Sequence, residues 1–152
     1  RYYPHDVWLY VMAAQWQRLS QEEAFMGRCG QAGDELGSRV VAARLVRDLL
    51  RLCFIQERQY APYSKWLGTA FSQLACAATL TPALTAALQA DTWQARQTHL
   101  AVAYEQVARQ HNALGLTAPL PEAAGRRITH AKACSSRPAS RVDTPVSGHP
   151  RT

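Results

Sequence analysis

The chain has 152 residues, enough for one domain with a buried core, and a net charge of +6. Residues 1–122 carry eleven basic and ten acidic side chains, while residues 123–152 carry six basic and one acidic. Because residues 1–122 are nearly neutral, the charge distribution argues against nucleic acid as a partner. No signal peptide is visible and the longest apolar run, residues 7–14, is too short to span a membrane, so we expect a soluble, cytoplasmic protein without a membrane partner.

The first predicted helix begins near Pro4, because proline and the acidic Asp6 both suit a first helical turn. Its apolar residues recur at helical spacing: Trp8, Met12, Trp16 and Leu19. The helix is expected to reach Met26 and to be broken by the glycines that follow, Gly27, Gly30 and Gly33.

The second predicted helix opens at Asp34 and Glu35, where acidic side chains stabilise the exposed amides, and reaches about Arg58. Its apolar side consists of Val41, Leu45, Leu49, Leu52 and Cys53. The opposite side carries what we call the arginine stripe: Arg44, Arg47, Arg51 and Arg58. Asp48 lies at the edge of the stripe and is expected to pair with Arg44 or Arg51. An ordinary solvated helix face explains such a stripe. The more specific alternative is a surface that binds phosphate or carboxylate groups.

Three further helices are predicted. Pro62 ends the preceding stretch and Ser64 is expected to cap a third helix. A short fourth helix is expected over residues 82–90, and a fifth begins at Asp91 or Thr92 and ends before Gly115. Its buried stripe is Trp93, Leu100, Tyr104, Val107, His111 and Leu114, in which His111 is interpreted as an ordinary core or boundary histidine.

The predicted fold class is therefore all-α. No alternating strand is found, and residues 1–121 are expected to form an up-and-down bundle of about five helices. Residues 122–152 are dense in Ser, Pro and Arg and are predicted to form a disordered or divergent basic tail. The chain does not begin with Met, so it is interpreted as a fragment that lacks an upstream part.

The stretch LGSRVVAARLVRDLL, residues 36–50, imitates a catalytic motif. Enzymes that transfer nucleotides combine a Gly-Ser pair in a strand-to-helix turn with paired carboxylates that hold divalent metal ions. Here Asp48 has no second acid beside it, and Gly37 and Ser38 lie inside a predicted helix. We therefore assign no catalytic residue, no metal site and no cofactor to this chain.

Five residues are candidates for substrate binding: Arg44, Arg47, Arg51, Tyr63 and Lys65. The arginines belong to the stripe. Tyr63 and Lys65 belong to QYAPYSKW, residues 59–66, where hydroxyls, an ammonium group and aromatic faces surround a proline turn. Packing of a hinge explains these aromatic residues equally well.

Four blocks of the chain, residues 1–30, 33–54, 57–71 and 111–121, resemble the C-terminal helical half of a bacterial family. That family is a domain of unknown function (DUF) attached to a nucleotidyltransferase-like domain, and its placement is similar to the C-terminal bundle of kanamycin-type nucleotidyltransferases. The resemblance implies that a missing N-terminal domain carries the catalytic motif of a transferase. Mg²⁺ and a nucleoside triphosphate would then belong to the full-length protein.

Two functions follow as expectations. The first is an accessory substrate-binding domain of a nucleotidyltransferase-like protein, not catalytic in isolation. The alternative is a structural or dimerisation module without a small-molecule ligand, which would form a homodimer through an exposed apolar patch around Trp8 and Trp16.

Overall fold

The computed structural model describes residues 2–121, and these residues form five α-helices and no strand. The helices are α1 (His5–Gln31), α2 (Glu35–Gln56), α3 (Leu67–Phe71), α4 (Ala77–Gln89) and α5 (Trp93–Ala113). Helices α1 and α2 pack as an antiparallel hairpin, α4 packs on α5, and α5 also contacts α1 and α2. The all-α bundle is thereby confirmed, while the predicted tail lies outside the described residues. Of the helices described, none has both the length and the apolarity to cross a membrane.

The core lies where α5 meets the α1–α2 hairpin and α4. Apolar side chains at helical spacing fill it, and the largest fully buried ones are Phe54, Leu45, Leu49, Leu52, Leu80, Leu100 and Val107. Trp8 joins the two helices of the hairpin, because its indole N–H donates to the carbonyl of Ile55 at 2.6 Å. This bond sets the register in which the N-terminal end of α1 meets the C-terminal end of α2.

Helix α1 runs through two of the three glycines that were expected to break it. At Gly30 a methyl group would lie 2.2 Å from Cγ of Trp93, so the glycine admits a tryptophan from α5. Only Gly33 ends the helix: it adopts a left-handed φ of +79°, and the amide of Asp34 donates to the carbonyl of Cys29 at 2.9 Å. The prediction of a break at Gly27 and Gly30 was wrong because a tertiary contact outweighs the weak helix propensity of glycine.

The start of α2 agrees with its sequence. The carboxylate of Asp34 accepts a hydrogen bond from the amide of Gly37 at 2.7 Å, which confirms the predicted cap. Gly37 and Ser38 lie in the first turns of α2 and not in a turn between a strand and a helix. The Gly-Ser pair therefore lacks the local geometry of a nucleotidyl-transfer motif.

Helix α4 begins five residues before the predicted start, so that Pro82 lies inside it. The start is held from outside the helix: the carboxylate of Glu57 accepts from the amides of Ala75 and Cys76, both at 2.9 Å. Proline in the first helical turn is only a statistical preference, and here it predicted the wrong boundary. The hydrogen bonds of Glu57, which follows α2, determine where α4 begins.

Of the caps predicted for α3 and α5, the first was wrong and the second is confirmed. A 3-10 turn at Ser64–Trp66 precedes the short α3, and the hydroxyl of Ser64 does not cap it, contrary to prediction. Thr92 does cap α5, because its hydroxyl accepts from the amide of Ala95 at 3.3 Å. Gly115 adopts the predicted left-handed conformation with φ of +64°.

Arg96 has a fully buried side chain and a structural role that was not predicted from the sequence. Its guanidinium group donates to the hydroxyl of Ser38 at 2.7 Å and to the carbonyl of Ala90 at 3.1 Å, and it also contacts the carboxylate of Glu35. Arg96 therefore ties α5 to the first turn of α2. A buried guanidinium is tolerated here because both of its terminal nitrogens donate to acceptors, while its Nε has no partner in the structure.

His111 is the buried histidine that the helical stripe predicts. The indole N–H of Trp16 donates to its Nδ1 at 3.1 Å, so the ring proton is on Nε2, which lies 3.1 Å from the hydroxyl of Thr117. Burial lowers the pKa of His111. Because Trp16 is half-buried on this histidine and Trp8 is only 4 % exposed, the predicted exposed patch around the two tryptophans was wrong.

Candidate functional site

The arginine stripe lies along α2, and its members differ in how far their charge is already compensated. The Nη2 atom of Arg44 lies 2.5 Å from a carboxylate oxygen of Glu22 on α1. Arg47 and Arg51 are half-buried, and neither forms a salt bridge within residues 2–121. The Nε atom of Arg47 is buried and has no hydrogen-bond partner in the structure. Arg44 is therefore the member of the stripe whose charge is compensated, whereas Arg47, Arg51 and Arg58 have no salt-bridge partner among residues 2–121.

Asp48 lies behind the arginine stripe and not at its edge. Its side chain is buried, and one carboxylate oxygen accepts from the Nε atom of Arg18 at 2.7 Å. The predicted pairing with Arg44 or Arg51 was wrong, because the α1–α2 hairpin supplies a closer arginine than helical spacing does. Asp48 thus belongs to the packing of the hairpin and offers no carboxylate at the surface.

Tyr63 and Lys65 form a small exposed cluster around Trp66. The indole N–H of Trp66 donates to the Tyr63 hydroxyl at 2.7 Å, and the Lys65 ammonium lies 5.0 Å from the centre of the Trp66 ring. Tyr63 is 66 % exposed and Trp66 is 48 % exposed. No hydrogen bond or salt bridge among the described residues joins this cluster to the arginine stripe.

The last member of the arginine stripe, Arg58, has an unusual backbone. The chain leaves α2 through a Schellman motif, in which the amide of Gln59 donates to the carbonyl of Phe54 at 2.8 Å and that of Arg58 to Ile55 at 3.1 Å. Arg58 occupies the left-handed position of this motif with φ of +55°. At the end of α1 the equivalent position is Gly33, the residue type that adopts this conformation without strain. A non-glycine residue there costs about 1 kcal/mol, and such strain concentrates at functional positions.

The side chain of Arg58 lines a cleft of about 830 Å³, here called the tyrosine cleft, whose other residues are Tyr2, Tyr3, Pro4, His5 and Tyr60. The three tyrosine rings pack together, with centroid separations of 5.0, 5.0 and 4.9 Å. On its other side the Arg58 guanidinium lies over the Trp8 ring, 4.5 Å from the ring centre. Stacking on Trp8 holds the guanidinium at the wall of the cleft and offsets part of the backbone strain.

The tyrosine cleft presents a cation, a hydroxyl donor and ring faces. The hydroxyl of Tyr2 is buried and has no hydrogen-bond partner in the structure. Burial, followed by the neighbouring Tyr3 and Tyr60, raises the pKa of Tyr2, so this group is a protonated donor at neutral pH. Tyr60 is 54 % exposed and Tyr3 is 37 % exposed. The arrangement suits a ligand with a planar ring and a negatively charged group.

The tyrosine cleft was not predicted from the sequence, although its parts are visible as RYYPH at residues 1–5 and ERQY at residues 57–60. Nothing local relates two segments more than fifty residues apart. Only the register of the α1–α2 hairpin, set by Trp8 and Ile55, brings them together.

Fold and site define an all-α helical domain with an aromatic, cationic cleft where α1 begins and α2 ends. A family described as a domain of unknown function (DUF4037) has a model that matches residues 1–67, which contain α1, α2 and the whole tyrosine cleft. The resemblance to a family of unknown function is supported over this span, which is shorter than the 1–121 expected from the sequence blocks. Comparison with curated proteins and with solved structures gave no match.

Proposed function

We propose that this chain is the accessory substrate-binding helical domain of a nucleotidyltransferase-like protein and is not catalytic in isolation. The observation that carries the proposal is Arg58, which is at once the end of the arginine stripe and the wall of the tyrosine cleft. It is also a strained residue inside the part of the chain that matches the family. In this proposal an N-terminal nucleotidyltransferase-like domain would hold Mg²⁺ and perform the chemistry.

The ligand in this proposal is a nucleoside triphosphate. Its base would stack on the exposed faces of Tyr3 and Tyr60, an interaction that contributes about 1–3 kcal/mol per base. Its phosphates would meet the Arg58 guanidinium and extend towards Arg51 and Arg47, which have no salt-bridge partner among residues 2–121. Arg44 would contribute less, because Glu22 already compensates its charge.

The test uses the protein together with its upstream domain and measures MgATP binding by calorimetry. Arg58→Gly removes the guanidinium while suiting the left-handed backbone, so we expect the fold to persist and the affinity to fall about tenfold or more. Arg47→Ala should also weaken binding. Arg28→Ala, an exposed arginine near the other end of α1, is the matched control. Lys65→Ala asks whether the cluster around Trp66 takes part.

Three results would overturn parts of the proposal. Unchanged affinity in both Arg58→Gly and Arg47→Ala would remove the proposed binding site. An upstream coding sequence without a Gly-Ser pair and paired acids would remove the link to nucleotidyl transfer. Nucleotide transfer by the purified chain alone, in the presence of Mg²⁺, would refute the accessory role.

A structural or dimerisation module is the second candidate, and one observation favours it. Leu36 and Val40 are 75 % and 52 % exposed, and they lie one turn apart on the same face of α2. A homodimer that covers this face should be seen by light scattering and should dissociate in Val40→Glu. A chain that stays monomeric at high micromolar concentration would exclude this function.

A further inference from the structure

A second cleft lies on the other side of α2 from the arginine stripe, between the end of α2, the start of α4 and the C-terminal half of α5. Its volume is about 590 Å³, within the range of small-molecule sites. The polar side chains that line this cleft, here called the glutamine cleft, are Gln56, Glu57, Thr79, Gln106 and Gln110. The proposed nucleotide site uses none of them.

Two of the residues that line the glutamine cleft have a side-chain amide oxygen that lacks a donor. Gln56 is 2 % exposed, and its Nε2 donates to the carbonyl of Val107 at 3.2 Å while its Oε1 is buried without a partner. The Oε1 atom of Gln106 is likewise buried and has no partner in the structure. A buried acceptor without a donor costs about 1–3 kcal/mol, so two of them in one cleft call for donors from outside the chain.

Glu57 adds negative charge to the same wall. Its carboxylate accepts from the amides of Ala75 and Cys76 at 2.9 Å, and the side-chain amide of Gln110 lies 3.5 Å away. These bonds fix the carboxylate in place without neutralising it, since all the donors are uncharged. The lining therefore combines two unpartnered acceptors with one negative charge, and this combination suits a group that carries several N–H donors and a positive charge.

We infer that the glutamine cleft binds a small molecule with a primary ammonium group. Such a group has three donors, which match Gln56 Oε1, Gln106 Oε1 and the Glu57 carboxylate. Leu80 and Leu114 line the remainder of the cleft and would contact an alkyl chain attached to the ammonium group. The inference goes beyond the proposed function, because that function assigns no ligand to α4 or α5.

The experiment is a titration of the whole chain followed by ¹H–¹⁵N NMR, with n-butylammonium chloride as the probe and n-butanol as its uncharged counterpart. Saturable shifts of the Ala75 and Cys76 amides are expected with the amine, at a concentration about tenfold lower than with the alcohol. Gln106→Leu should weaken amine binding about tenfold. Gln94→Leu, on the exposed side of the same helix, should not change it.

Glu57→Gln keeps the size and removes the charge, but it leaves one oxygen to accept from the amides of Ala75 and Cys76, so its fold is checked first by its NMR spectrum. The folded variant should lose the preference for the amine over the alcohol. This variant decides the matter if Gln106→Leu fails to fold, as judged by its NMR spectrum. Equal responses to amine and alcohol, the absence of saturable shifts, or full affinity in Gln106→Leu would each overturn the inference and leave the cleft as a site for water.

Discussion

Replacement of Arg96 by methionine is a strong test of the packing between α5 and α2. Methionine keeps most of the buried alkyl stem and removes the guanidinium group. The Ser38 hydroxyl, which is fully buried, and the Ala90 carbonyl would lose their donor, at about 1–3 kcal/mol for each group. The Glu35 side chain is 42 % exposed and can be solvated by water, so its loss adds little.

Two effects reduce the expected loss of unfolding free energy. Burial of the methionine terminus is favourable, and the cost of removing a guanidinium group from water disappears. The Nε atom of Arg96 has no partner in the structure, so its removal costs nothing. We therefore expect the free energy of unfolding to fall by about 3 kcal/mol, near the lower end for a broken buried ion pair.

Urea denaturation followed by far-ultraviolet circular dichroism measures this change. Arg39→Met is the matched control, because Arg39 forms an exposed salt bridge with the same Glu35 at 3.3 Å and should contribute no more than about 0.5 kcal/mol. The double variant Arg96→Met/Ser38→Ala should recover about 1 kcal/mol, since it removes an acceptor that has lost its donor. A loss below about 1 kcal/mol in Arg96→Met would refute the claim that these hydrogen bonds hold α5 on α2.

Two further predictions concern other contacts of the bundle. Gly30→Ala places a methyl group against Trp93 and should destabilise the protein by about 1–3 kcal/mol in urea denaturation, whereas Gly68→Ala, whose methyl group meets nothing, should be neutral or stabilising. An equal effect of the two variants would contradict the packing argument. Stability should also fall as the pH decreases below about 6.5, because the unfolded chain protonates His111 more readily than the folded protein, where burial lowers its pKa and Trp16 donates to Nδ1. His111→Gln should flatten this part of the dependence of the unfolding free energy on pH, and an unchanged slope would show that another group is responsible.

Some features of the bundle were predictable because their signals are local. Asp34 caps α2 through an amide three residues ahead, and Gly115 supplies a left-handed residue at the end of α5. The apolar spacing in α2 and α5 identifies which face enters the core, as the burial of Leu45 and Val107 shows. Each of these signals depends on residues within one or two helical turns of each other.

Other features depend on residues that are distant in sequence, and their contacts are known only from the packing of the helices. Gly30 remains helical because Trp93 occupies the space beside it, and Asp48 pairs with Arg18 across the hairpin and not with the arginines of its own helix. The tyrosine cleft needs the N-terminal tyrosines and Arg58 at one end of the α1–α2 pair. Helical periodicity determines which face of a helix is apolar, but it does not determine which residue of a neighbouring helix lies opposite, because that depends on the register in which the two helices pack.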